Sequence, residues 1–124
     1  MIKLLHVEDD ADIREIALMA LDLSGEFEVL QCDSGEEALA QVAGYGPEVI
    51  LLDMMMPGMT GRQTLERIRE DHPSLAAVPA IFMTARAQHS EIEELLQSGA
   101  AEVISKPFDP ISLPDQIKEA MQKA

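Results

Sequence analysis

The segment "VILLDMMMPGMTG", residues 49–61, constrains this chain more than any other: aliphatic residues run unbroken into Asp53, and the chain then breaks at Pro57-Gly58. Such a run fits a parallel strand buried on both faces, because both sets of alternating side chains must then be apolar. Asp53 therefore sits where the strand leaves the sheet. Similar short apolar runs occur at "IKLLHV", "FEVLQC", "VPAIFMT" and "AEVISK", and longer segments of helical period alternate with them. Five strands alternating with five helices are the pattern of repeated βα units. Right-handed crossovers wind such a chain into an open α/β sheet with helices on both faces, and the common five-strand order is 2-1-3-4-5.

The helical segments carry their own signals. Ile13, Ile16, Ala17, Ala20 and Leu21 recur on one face of the first, and Ile92, Leu95, Leu96 and Gly99 on one face of the fourth; both faces are expected to pack on the sheet. Ser34 with Glu37, Thr60 with Gln63 and Ser90 with Glu93 have capping-box spacing. Gly25, Gly44, Gly46 and Gly99 fall where helices should stop. For the last helix, Asp109-Pro110 and Ser112-Leu113-Pro114 are both plausible starts; the first is preferred, with some distortion at Pro114. Asp10 and Asp12 suit the positive end of the first helix. His6 reads as a hydrogen-bonded core residue, Cys32 as a buried strand thiol, Met54–Met56 and Met59 as flexible packing, and "SEIEELL" as a solvated face.

With 124 residues and 47% hydrophobic composition, one domain over residues 1–124 is expected. The formal charge of −14 is spread along the chain and repels phosphate backbones and anionic lipid, so neither nucleic acid nor membrane is an expected partner. No apolar stretch approaches the ~20 residues of a membrane span, and "MIKLLHVEDD" meets acid too early for a signal peptide, which points to the cytoplasm.

Ligands of doubly wound sheets bind beyond the carboxyl ends of the strands, near the reversal of strand order. Strand 1 ends in Glu8-Asp9-Asp10, strand 3 in Asp53, strand 4 in Thr84 and strand 5 in Lys106-Pro107. Clustered carboxylates repel one another, and a cation among them relieves that cost. Mg²⁺ fits best: it is a hard ion that keeps several waters and takes one or two carboxylates plus a phosphate oxygen. The three histidines lack ligand spacing and Cys32 is the single thiol, so no softer metal is indicated.

The acidic pair Glu8-Asp9, Asp53 in "LLDMMMPGMTG", Thr84 in "MTA" and Lys106 in "SKPF", in that order and spacing, resemble the receiver domain of bacterial two-component response regulators, over about residues 2–122. The resemblance implies the flavodoxin-like fold and a phosphoryl group accepted on Asp53 from a sensor histidine kinase or phosphotransfer protein. It also implies Mg²⁺ held by Asp9, Asp53 and the main-chain carbonyl of Met55, with Glu8 acting largely through metal-bound water. Thr84 and Lys106 would bind phosphoryl oxygens, Ala85 would leave room for the group, and Lys106-Pro107 would be cis. A downstream protein target, a monomer and no turnover of an external substrate are expected; a phosphorelay carrier or the receiver of a larger regulator is the alternative. The residues flanking the in-line water, Met55 and Arg86, argue for slow loss of phosphate.

Two rivals share parts of this pattern. A flavodoxin needs Ser, Thr and Gly in the loop after strand 1, where this chain has "EDDAD". A haloacid-dehalogenase-type phosphatase needs a second Asp two residues after the nucleophile, where Met55 stands. One departure from the receiver pattern matters for signalling: Val103 occupies the position, three before the lysine, where most receivers carry a switching aromatic residue. Moving a switch from 1:99 to 99:1 takes ~5.5 kcal/mol of differential binding. Charge-assisted contacts supply roughly 1.5 to 3 kcal/mol each, so Thr84 and Lys106 together just reach that figure.

Overall fold

The computed structural model describes residues 1–85 and 88–123. Five strands, β1 (Ile2–Val7), β2 (Phe27–Cys32), β3 (Val49–Asp53), β4 (Ala80–Thr84) and β5 (Glu102–Ser105), are all parallel and stand in the order β2-β1-β3-β4-β5. Helices α1 (Ala11–Ser24), α2 (Gly35–Tyr45), α3 (Gly61–Asp71), α4 (His89–Gln97) and α5 (Leu113–Lys123) connect or follow them, and a 3-10 turn at Pro73–Leu75 precedes β4. Every residue of β3 and β4 is buried, as their unbroken apolar runs require.

Two apolar layers follow from the alternation of side chains along the strands. On one face Leu5, Val7, Ile50, Leu52 and Phe82 pack with Ala38 and Val42 of α2, Leu65 and Ile68 of α3, and Leu95 of α4. On the other, Leu4, Leu51, Ile81 and Met83 pack with Ala17 and Leu21 of α1 and with Leu113, Ile117 and Ala120 of α5. The helices therefore divide between the two faces, and the carboxyl ends of β1, β3 and β4 stay side by side.

The helix ends show which local signals are used. Thr60 and Gln63 form a reciprocal capping box at α3, and the Ser34 hydroxyl accepts from Glu37 N at α2. Asp10 does more than complement the dipole of α1: its carboxylate is the N-cap and accepts from the amides of Asp12 and Ile13. Gly25 and Gly46 close α1 and α2 in the left-handed conformation, with φ of 69° and 66°.

Several local expectations are corrected. Ser90 lies inside α4, whose N-cap Gln88 makes no side-chain cap bond. Gly44 lies inside α2, one residue before its end. The last helix begins at Leu113, not at Asp109-Pro110: the Asp109 carboxylate accepts from Ile111 N at 3.0 Å and its carbonyl from Leu113 N at 3.0 Å, which makes a separate turn first. Pro114 is then the second helical residue, where no intrahelical amide bond is lost. Ile16, expected on the sheet, is exposed and faces a groove with Met19, Leu23 and Ile111, because the stripe that α1 buries narrows to Ala17, Ala20 and Leu21. In α4 only Leu95 is buried, while Ile92 is half-buried and Leu96 exposed.

Candidate functional site

Register puts the site residues together. Leu52 pairs with Val7 and Phe82, and Asp53 with Met83, so Glu8 and Asp53 emerge at one level and Thr84 one residue beyond it, from three neighbouring strands. Lys106 follows β5 and is tied in by its amide, which donates to the Thr84 carbonyl at 2.8 Å. The Lys106-Pro107 bond is cis, as the family resemblance implied.

Carboxylate oxygens of Glu8, Asp9 and Asp53 lie within 4.8 Å of one another. Glu8 is fully buried and Asp53 nearly so, while Asp9 is exposed. The Lys106 ammonium bridges the two buried acids, 2.8 Å from Glu8 Oε1 and 2.9 Å from Asp53 Oδ1. Burial pushes the Glu8 carboxyl from its ordinary 4.5 up to about 7, and neighbouring Asp53 adds to the rise while Lys106 opposes it. Burial disfavours the charge on Lys106, but its contacts with Glu8 and Asp53 outweigh that and raise its pKa. Three carboxylates gathered at one strand edge, two of them buried, are the donor set expected of a hard divalent cation.

Sequence reading missed the contact of Lys106 with Glu8, which is as short as its contact with Asp53. It also missed Arg14, whose Nη1 donates to the Glu8 carbonyl at 2.7 Å and whose own carbonyl accepts from Gln31 Nε2 at 2.7 Å. Gln31 stands opposite His6 in the β1–β2 register and lies 3.2 Å from His6 Nδ1. With the Gln31 amide donating, Nδ1 is the acceptor and Nε2 carries the proton, buried and without a hydrogen-bond partner. His6 is thus a core residue, and burial, then Lys106 and Arg14, lower its pKa from 6.5 to about 4.

The loop after β3 is exposed at Met55, whose amide donates to Asp53 Oδ1 at 3.4 Å, and buried at Met56. Thr84 is buried at the end of β4, and Val103 is half-buried against the α2–α4 side of the core. Arg86, the second expected flank of the in-line approach, lies outside the described residues. Gly61 opens α3 directly against the strand end: its amide donates to the Met54 carbonyl at 3.1 Å, and a Cβ there would run into the Asp53 carbonyl oxygen. Gly61→Ala is therefore expected to displace the end of β3 and lower stability by ~2 kcal/mol, within the usual range for overpacking. Urea unfolding checks this; a midpoint equal to wild type would show that the loop yields freely.

Fold and edge together define a class: a doubly wound α/β domain whose carboxyl strand ends gather acids, a hydroxyl and a lysine. The family model for the response regulator receiver domain matches residues 4–118, and the chain belongs to that family, whose members accept a phosphoryl group on an aspartate and bind Mg²⁺ in an acidic pocket. It is 32% identical over 120 residues to the phosphate regulon transcriptional regulatory protein PhoB of Pseudomonas aeruginosa, covering 97% of this chain and 52% of that protein. Among solved structures it resembles a putative response regulator from Chloroflexus aurantiacus, with TM-score 0.86, 32% identity and 97% of each chain covered. It also resembles the chemotaxis response regulator CheY4 of Vibrio cholerae, with TM-score 0.88, 29% identity and coverage of 97% of this chain and 98% of that one. The chain spans about half the length of the curated relatives it matches. Among the described residues no helix is long and apolar enough to cross a membrane.

Proposed function

We propose that Asp53 is the phosphoacceptor of this receiver and that Lys106 and Thr84 bind the transferred group. The observation that carries this reading is the Lys106 ammonium 2.9 Å from a nearly buried Asp53 at the strand edge. An Asp53 oxygen attacks the phosphorus of a phosphohistidine on a sensor histidine kinase or phosphotransfer protein; the P–N bond breaks, and an acyl phosphate forms while the imidazole leaves with the N–P electron pair. Lys106 passes from the carboxylate to a phosphoryl oxygen, and the Thr84 hydroxyl donates to another. Asp9, Asp53 and the main-chain carbonyl of Met55, with Glu8 acting through water, would hold Mg²⁺, which when bound would supply neutralisation of charge on the transferring oxygens. The exposed Met55 thioether is too weak an acceptor to orient an attacking water, which favours a lasting phosphorylated state.

On this reading residues 1–124 are one cytoplasmic receiver that signals to a protein target, acts as a monomer, binds no nucleic acid itself and turns over no external substrate. A phosphorelay carrier or the receiver of a longer regulator would use the same chemistry. The test is intact-protein mass spectrometry after acetyl phosphate or phosphoramidate with Mg²⁺, where a single-phosphate adduct on Asp53 is expected and an unmodified protein overturns the reading.

Lys106→Ala separates chemistry from response. The variant is expected to accept phosphate more slowly yet lose the phosphorylation-dependent NMR shifts remote from the site. Remote shifts equal to wild type would remove the lysine from the switch.

A further inference from the structure

With Val103 in place of an aromatic, Thr84 and Lys106 leave the switch little margin, and the structure offers a further cation. Helix α3 is fixed to the phosphoacceptor strand through Gly61 and its capping box, and it buries four residues. Helix α4 buries one and has no side-chain cap. Two arginines of α3 reach toward it. Just past its C-terminal end Arg69 Nη2 donates to the Gly99 carbonyl at 3.2 Å. Nearer the site, Arg62 Nη1 stands 3.5 Å from Glu94 Oε1, with the two side chains 41% and 68% exposed.

An ion pair so long and so exposed contributes little and exchanges readily. Arg62 lines a cavity of about 260 Å³ with two carboxylates, Glu91 and Glu94, and with Met54, Met55, Thr84 and Leu95. Thr84 and the two residues that follow Asp53 belong to that lining, so the cavity reaches the strand edge beside Asp53 without including Asp53 itself. A phosphoryl group brings nearly two negative charges and three acceptor oxygens, and the guanidinium fork matches it better than it matches one solvated carboxylate.

We propose that Arg62 is a phosphoryl-binding switch residue: when Asp53 is phosphorylated, Arg62 leaves Glu94, enters this cavity and takes a phosphoryl oxygen, releasing α4 at Glu94 while Arg69 stays bonded to Gly99. The inference rests on Asp53 as phosphoacceptor. It gives α4 a cause of movement that needs no aromatic residue at position 103.

The test is titration of the protein with beryllofluoride, a phosphoryl mimic, at fixed Mg²⁺, followed by amide NMR. Arg62→Gln is expected to bind at least fivefold more weakly and to leave the α4 amides near their free positions. Glu94→Gln, which frees the arginine beforehand, is expected to bind at least twofold more tightly. Glu93→Gln removes the same charge one residue away and is expected to match wild type in affinity. Unchanged affinity in Arg62→Gln, weaker or unchanged binding in Glu94→Gln, or equal tightening in Glu93→Gln overturns the role of Arg62. Failure of wild type to form an adduct overturns the phosphoacceptor reading itself, and this inference with it.

Discussion

Asp53→Asn is expected to gain no phosphate from acetyl phosphate under conditions where wild type gains one, while keeping a cooperative unfolding transition close to that of wild type. The fold should persist because Asn has nearly the shape of Asp, and Lys106 retains Glu8 Oε1 at 2.8 Å. The lost Lys106–Asp53 contact is offset by relief of repulsion between Asp53 and Glu8, which are close enough to raise the Glu8 pKa. What disappears is the nucleophile. The amide oxygen of Asn has no charge to offer phosphorus, and it also lowers the charge that would hold a divalent cation among Glu8, Asp9 and position 53. Wild type in EDTA is therefore expected to behave like the variant. Intact-protein mass spectrometry decides both. An adduct of wild-type yield in the variant would move the nucleophile to Glu8 or Asp9, and one in EDTA would remove the cation from the reaction.

The strands were legible because their signal is local: β1, β2 and β3 begin and end where the apolar runs do. The order of the sheet and the gathering of Glu8, Asp53, Thr84 and Lys106 at one edge follow from the βα alternation and the handedness of its crossovers. The misreadings occur where two local signals compete or where burial depends on a neighbour. Ser90 and Glu93 have the spacing of a capping box, but α4 starts at His89 and leaves Ser90 past the cap. Asp109 caps a turn instead of the helix. Ile16 has the right period, yet periodicity gives the direction of an apolar stripe and not its width. The contact of Lys106 with Glu8 is a tertiary event between the two ends of the chain, and nothing in either segment encodes it. Arg14 and Gln31 behind Glu8 and His6 belong to the same category.

Stabilisation of the protein by Mg²⁺ is expected to grow by roughly 3 kcal/mol between pH 4.5 and 7. Two buried groups with opposite behaviour set this up. Glu8 has a folded pKa of about 7 against an ordinary 4.5, so in that window the native state keeps a proton the unfolded chain has released, and stability falls as pH rises. His6 has a folded pKa of about 4 against 6.5, so between those values the unfolded chain holds the extra proton and stability rises with pH. The two slopes oppose each other, so in EDTA the profile between pH 4.5 and 6.5 is expected to be shallower than either group alone would give. A divalent cation among Glu8, Asp9 and Asp53 holds Glu8 ionised, which removes the falling contribution and leaves the rise due to His6. Urea unfolding across this range with Mg²⁺ and with EDTA measures the difference directly. In Glu8→Gln the group that loses its proton to the cation is gone, so the growth of the Mg²⁺ effect with pH should vanish while the His6 slope appears even in EDTA. A Mg²⁺ effect independent of pH in wild type, or equally pH-dependent in Glu8→Gln, would show that the buried carboxyl of Glu8 does not sense the cation.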